Sequence, residues 1–278
     1  MRYAQKYTIL TSGRTMIIIR FFVILSWVLL NGCAQEITSN IQFGPAGTPG
    51  QQSPVPKNSA GNNLGYMEYL PTNFDLNKVY PIVLYWNGIN AINGNGRDEL
   101  PRLLTQGLPK LINENHHFEA IIVSPMIDMP NWDSELIHNF VNYLLTRYKK
   151  NIDLNRVYMT GFSAGGGITM QYAADYPELL AAIVPIAPAT PPPNDEQPSK
   201  AMASIPSWIF HNSGDLIVEI WRSNLWHKAL KDIGGNHKIT RPDLDTHYAW
   251  EETYTSEKMW TWLLSQKKTP ASLRTNHD

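Results

Sequence analysis

The sequence predicts an α/β fold: one mostly parallel sheet with helices on both of its faces. Three observations lead there. From Leu64 onward, strand-like and helix-like segments alternate, the pattern of repeated β-α-β units. Several strand segments are apolar throughout rather than alternating, as in Pro81–Trp86 (PIVLYW), which fits strands covered on both sides. Third, Arg156–Gly167 (RVYMTGFSAGGG) reads as a short strand, a tight turn carrying a serine, and the start of a helix.

In chain order, Gly65–Leu70 is expected as the first strand, ending at Pro71. Pro81–Trp86 is the second, Glu99–Asn113 has helical period, and Ala120–Ser124 (AIIVS) is another buried strand. Glu135–Lys149 is amphipathic, with Leu136, Phe140, Val141, Tyr143 and Leu144 on its inner side. After the serine turn, Ala164, Ile168 and Tyr172 recur at helical spacing, and Pro177 disfavours helix at Tyr176. Ala181–Ala187, Ser207–His211 and His237–Thr240 are further strands; Arg222–Ile233 and Ser256–Gln266 are helical. In open sheets of this kind the ligand crevice lies at the carboxyl ends of the strands.

The amino terminus differs in kind. Arg14 and Arg20 precede an apolar run from Phe21 to Leu30, broken only by Ser26. A basic stretch, a short apolar core and a small residue before a cleavage point describe an export leader over residues 1–32. The run is shorter than the ~20 apolar residues of a spanning helix. Met16 offers an alternative start with a more compact leader. The sole cysteine, Cys33, follows directly, and Leu30-Asn31-Gly32-Cys33 resembles a bacterial lipobox. That resemblance implies lipidation of Cys33 and a location in the cell envelope. Plain export to the periplasm or outside is the alternative, and the lipid is the membrane contact expected. A single cysteine excludes an intramolecular disulfide. Residues 33–60, rich in Pro, Gly, Ser, Asn and Gln, are expected to be a flexible linker. Residues 61–268 form one domain and 269–278 a disordered tail. Four of the 23 basic residues lie in the leader, so the rest carries 19 against 24 acidic groups, with no basic patch for nucleic acid.

Gly161-Phe162-Ser163-Ala164-Gly165 is a G-x-S-x-G pentapeptide between strand and helix, the context of a nucleophile elbow. Such a turn holds its serine at positive φ, a strain of roughly 1–3 kcal/mol. It brings the chain two residues before and two after into contact, so glycines at 161 and 165 remove colliding side chains. Gly166 and Gly167 extend the run. Three glycines start a helix poorly, at about 1 kcal/mol each against alanine, so another requirement selects them.

A serine needs a base, and the base an orienting group. With a serine elbow the chain order is serine, acid, histidine, each just after a strand. Asp215 follows Ser207–His211 through Asn212-Ser213-Gly214. Without Ser163 it would read as a turn aspartate bonding its own backbone. His247 lies between the last strand and the last helix. His116 and His117 precede a strand and the serine, His138 and His227 sit within helices, and His277 is in the tail. His211, on the strand leading to Asp215, is expected to pack against or support the site. Asp245 is a rival acid. For the oxyanion, the expected donors are the backbone N–H of Ala164 and the backbone of Gly88 and Ile89, in a Gly/Asn-rich loop through Gly96.

Taken together, GYMEYLP, YPIVLYWNG, GLPKLI, IDLNRVYMTGFSAGGG, YPELLAAIVPIAPA, SWIFHNSGD and HYAWEETY resemble the α/β-hydrolases over Leu64–Lys267. Most similar are the secreted feruloyl esterases and polyhydroxybutyrate depolymerases and related predicted peptidases. The resemblance implies an α/β-hydrolase fold, a Ser163, Asp215, His247 triad, no cofactor and no metal, and carboxylic ester hydrolysis on small-molecule or polymer-attached substrates. A peptidase of the same fold and a degenerate carbohydrate-binding lipoprotein are the alternatives. Asn87 stands where the family has His, and Asn212 where it has Gly; asparagine is expected to suit the turn before Asp215 because it tolerates left-handed backbone. The 17 residues Pro188–Ser204 are too few and too proline-rich for a helical cap, so no large lid domain is expected. Asn87, Trp132, Trp221 and Trp226 are candidates for contacting substrate. Gly94-Asn95-Gly96 lacks the further glycine and the strand–helix setting of a dinucleotide site.

Overall fold

The computed structural model of the chain describes residues 47–89, 98–127, 133–190, 200 and 202–268. Outside them lie the leader with Cys33, the first part of the expected linker, Asn90 and Asn93–Gly96, Trp132, most of the proline-rich segment and the expected tail. The described strands are β1 (Gln52–Val55), β2 (Tyr66–Tyr69), β3 (Tyr80–Trp86), β4 (Ile121–Pro125), β5 (Ile152–Phe162), β6 (Ala182–Ile186), β7 (Ser207–Phe210) and β8 (His237–Thr240). They form one sheet in the order β1-β2-β4-β3-β5-β6-β7-β8. From β4 to β8 every neighbouring pair is parallel, whereas β1 and β2 run antiparallel at one edge.

The helices are α1 (Gly107–Asn113), α2 (Ser134–Arg147), α3 (Ala164–Asp175), α4 (Trp221–Asp232), α5 (Trp250–Thr255) and α6 (Glu257–Ser265). Strand side chains alternate between two cores. Ile82, Leu84 and Trp86 of β3 join Phe140 and Leu144 of α2, Ile168 of α3 and Trp226 of α4. Val83 and Tyr85 join Leu108 of α1, Trp250 of α5 and Leu263 of α6. An apolar strand therefore feeds both cores at once, which is why the PIVLYW run shows no polar alternation. Each large apolar side chain so buried contributes ~1.5–3 kcal/mol.

Three expectations are corrected, and one helix is added. The helix anticipated over Glu99–Asn113 is two pieces, a 3₁₀ segment at Leu100–Thr105 and then α1. Gln106 is extended between them and Gly107 has φ +63°. A Cβ on Gly107 would lie 1.7 Å from the Tyr85 hydroxyl oxygen, so the ring of β3 forces the break. The last helix, expected over Ser256–Gln266, is α6; a short helix that was not anticipated, α5, precedes it, and Ser256 caps α6 by accepting from the Met259 amide at 3.3 Å. β5 begins at Ile152 rather than at Arg156, because the polar Asp153, Asn155 and Arg156 and the half-exposed Leu154 interrupt the apolar run.

Finally, residues 47–60 are part of the folded body and not a tether. β1 pairs with β2 from Gln52 opposite Tyr69 to Val55 opposite Tyr66. Main-chain hydrogen bonds, which composition does not reveal, supply the ordering. The same edge holds a buried polar cluster. The Glu68 carboxylate, fully buried on β2, accepts from the Gly47 amide at 2.8 Å and from the Tyr148 hydroxyl, with Arg147 Nη2 3.8 Å away. Removing one partner of a buried ion pair strands the other charge. Arg147→Met should therefore lower stability by about 3–5 kcal/mol in urea denaturation.

Candidate active site

β5 ends at Phe162 and α3 starts at Ala164, so Ser163 alone makes the turn. Its backbone sits at φ 58°, ψ −116°, the positive φ expected for an elbow. The strain persists because neighbours over-determine it. The Ser163 amide donates to Ile186 O at 2.9 Å, and its carbonyl accepts from the Gly167 and Ala189 amides at 3.0 and 3.1 Å.

The glycine requirement is mutual crowding of main chain. A Cβ on Gly161 would stand 2.3 Å from Gly165 O, and one on Gly165 would stand 2.0 Å from Trp86 O. The two following glycines are also explained by packing: a Cβ would meet Ile186 O at 2.7 Å from Gly166 and Thr190 Oγ1 at 2.3 Å from Gly167. Helix propensity is subordinate here to close docking of α3 on the strand ends.

Asp215 follows β7 and is 4% exposed. Its Oδ1 accepts from the Ile217 and Val218 amides at 2.9 and 3.0 Å. Its Oδ2 is 2.6 Å from His247 Nδ1 and 3.3 Å from His211 Nε2. The carboxylate can only accept from His247, so Nδ1 of that ring carries a proton and Nε2 is left to accept one. Asp245, the rival acid, is exposed and lies against Gly214. His247 is 9% and Ser163 8% exposed. The His247 ring packs 4.6 Å, centroid to centroid, from Phe162, the residue before the serine. Among the described residues no hydrogen bond engages Ser163 Oγ.

The acid turn and the histidine loop are zipped together. His211 N donates to Thr240 O at 3.0 Å, Ser213 N to Pro242 O at 2.8 Å and Gly214 N to Leu244 O at 3.2 Å. Asn212 corrects an expectation here. Its φ is not positive, so tolerance of left-handed backbone is not what suits asparagine to this place. Its Nδ2 donates to Thr246 O at 2.8 Å, tying the acid turn to the residue before His247. The sequence carried no signal for that bond.

The other sequence-predicted residues fall as follows. Gly88 packs beside Phe162 and Gln106, and Gln106 Nε2 donates to Gly88 O at 3.3 Å. Ile89 is 59% exposed. Ala164 opens α3, where amides lack intrahelical acceptors and the helix presents partial positive charge. Asn87 is buried, with neither side-chain atom hydrogen bonded. Trp221 is 41% exposed, its indole donating to Glu219 at 2.7 Å. Trp226 is no surface platform: it is buried and donates to Thr190 O at 2.9 Å. Gln106 and Ala187, the latter at φ 43° beside the elbow, were missed, because neither the helix break at Gln106 nor the backbone at Ala187 has a local sequence signal.

A mostly parallel sheet flanked by helices, with a strained serine between β5 and α3, is an α/β-hydrolase fold. Comparison with known proteins agrees. The phospholipase/carboxylesterase family matches residues 128–260. Acetylxylan esterase A of Emericella nidulans is 29% identical over 218 residues, covering 72% of this chain and 66% of that protein. Two solved structures share the fold. One is a thermostable esterase (24% identity, TM-score 0.59, 78% of this chain and 62% of that one). The other is a ferulic acid esterase (17%, 0.57, 77% and 97%). The chain thus has an α/β-hydrolase fold and is similar in sequence to acetylxylan esterase A, of whose length it spans just under two thirds.

Gly165→Ala should be among the least tolerated changes at the site, because the atoms its Cβ would strike are backbone. Denaturation should show a loss of about 3 kcal/mol or more.

Proposed function

We propose that the protein is a serine hydrolase of carboxylic esters acting on acyl groups attached to carbohydrate. The observation that carries the reading is the 2.6 Å contact between Asp215 Oδ2 and His247 Nδ1, with the His247 ring against the residue preceding a strained serine. The names of the relatives, acetylxylan esterase and ferulic acid esterase, support the substrate class.

In the proposed reaction Ser163 Oγ attacks the acyl carbon while its proton passes to His247 Nε2. Asp215 keeps the imidazole oriented and stabilises the imidazolium. The oxyanion is met by the Ala164 amide and the Gly88–Ile89 backbone, each donor being worth about 3–4 kcal/mol of transition-state stabilisation. His247 then returns the proton to the leaving alcohol. Water, deprotonated by the same nitrogen, opens the acyl-serine and restores the hydroxyl.

We further infer that residues 1–32 direct export and that Cys33 carries a lipid. No helix among the described residues is long and apolar enough to cross a membrane. The intact mass of the mature protein, with and without Cys33→Ser, tests this.

Ser163→Ala should abolish hydrolysis of a short p-nitrophenyl ester and labelling by a fluorophosphonate, with an unchanged circular dichroism spectrum. Retained activity would remove the serine from its role. A panel of acetyl, feruloyl and longer acyl esters, beside a peptide amide of matched acyl part, should show ester turnover well above amide turnover.

A further inference from the structure

Asp215 Oδ2 serves two imidazoles. His247 is one. His211, wholly buried at the end of β7, is the other, its Nε2 lying 3.3 Å from Oδ2 and 2.7 Å from Val218 O. A carbonyl oxygen only accepts, so Nε2 of His211 must carry a proton. Its Nδ1 lies 2.7 Å from Ser223 Oγ on α4. Burial holds the His211 ring below its ordinary pKa and therefore neutral, opposed by the Val218 carbonyl and by Asp215. In the neutral ring Nδ1 has a lone pair and no proton, so the Ser223 hydroxyl donates to it. The tautomer is fixed at both ends.

We propose that His211, locked by Ser223, is a positioning residue that fixes the Asp215 carboxylate and, by sharing Oδ2, tempers the pull of Asp215 on His247. This deepens the hydrolase reading above and rests on it. Two main-chain amides fix Oδ1, but only side chains reach Oδ2, and His211 is the one whose ring is held from outside the histidine loop, by Val218 O and Ser223 Oγ. Without it, Oδ2 has His247 as its remaining imidazole partner and becomes a stronger acceptor. The titratable groups acting on His211 are Asp215 and His247. On α4 and the turn before it, Arg222 bonds Ala189 O and Glu219 bonds the Trp221 indole. On the facing loop, Asp243 accepts from Ser213 Oγ and Asp245 is exposed beside Gly214.

The test compares His211→Leu, which removes the donor, His211→Gln, which keeps an N–H near the Nε2 position, and Ser223→Ala, which only unlocks the tautomer. Ester hydrolysis is followed against pH, with melting temperature as the control for folding. In His211→Leu, kcat should fall about tenfold, the size of one charge-assisted hydrogen bond, with KM within about twofold. The acid limb of kcat/KM should move to higher pH. His211→Gln should recover most of the rate and the limb. Ser223→Ala should move the limb in the same direction by less, and it carries the test if the leucine variant does not fold. Titration of the His247 Cε1 proton by NMR reads the same coupling with no turnover. If Ser163→Ala still hydrolyses ester, the reading of the reaction fails while the ring titration still decides this proposal. A lowered melting temperature with an unmoved His247 titration and acid limb would overturn it, leaving His211 a packing residue.

Discussion

The structure turns on a collision avoided between backbones. At the carboxyl end of β5 the chain reverses so tightly that Gly161, Gly165 and the carbonyl of Trp86 occupy neighbouring space with no room for a single methyl group. That contact lets α3 dock with its first turn directly above β3 and β5. It forces Ser163 into a backbone conformation that a non-glycine residue adopts only under compulsion. The compulsion comes from β6, whose end accepts the Ser163 amide, and from Gly167 and Ala189, whose amides hold its carbonyl. The apolar strands on either side are the rigid ground against which this strain is held.

Around that fixed point Asp215 and His247 travel together. The turn after β7 and the loop after β8 are joined by three main-chain hydrogen bonds and by the Asn212 amide. Neither Asp215 nor His247 therefore needs to be placed separately. Zipping the loops brings the carboxylate and the imidazole to 2.6 Å as one unit. The remaining relation, between this unit and the serine, is set by packing of the His247 ring, tilted, against Phe162, whose place is dictated by β5. In the proposed reaction a preorganised pair costs little to hold, which is the advantage of building it into main-chain contacts.

Much of this was legible in the amino-acid sequence, and the reasons are physical. Buried parallel strands leave unbroken apolar runs, so β3, β4, β6 and β7 were placed to within about two residues, the usual latitude of helix and strand ends. The glycines of the elbow were legible because steric exclusion leaves few alternatives. What stayed hidden were features fixed by long-range contact. The break at Gln106 depends on the Tyr85 ring, the ordering of Gln52–Val55 on main-chain pairing with β2, and the second imidazole at Asp215 on the fold of the turn after β7. Asn212 was read as backbone tolerance but acts through its side chain, since nothing local marks a bond to a residue 34 positions away.

The edge formed by β1 has a mechanical consequence. The chain enters the sheet there as the outermost strand, and the serine-bearing β5 is fifth in the row. β1 is held antiparallel to β2 from its amino-terminal end, Gln52 opposite Tyr69, to Val55 opposite Tyr66. Tension applied through the amino-terminal segment would unzip this pair one rung at a time, at low force. Three further strands separate β1 from β5, so load taken up at this edge would be spent at the margin before it reached the serine.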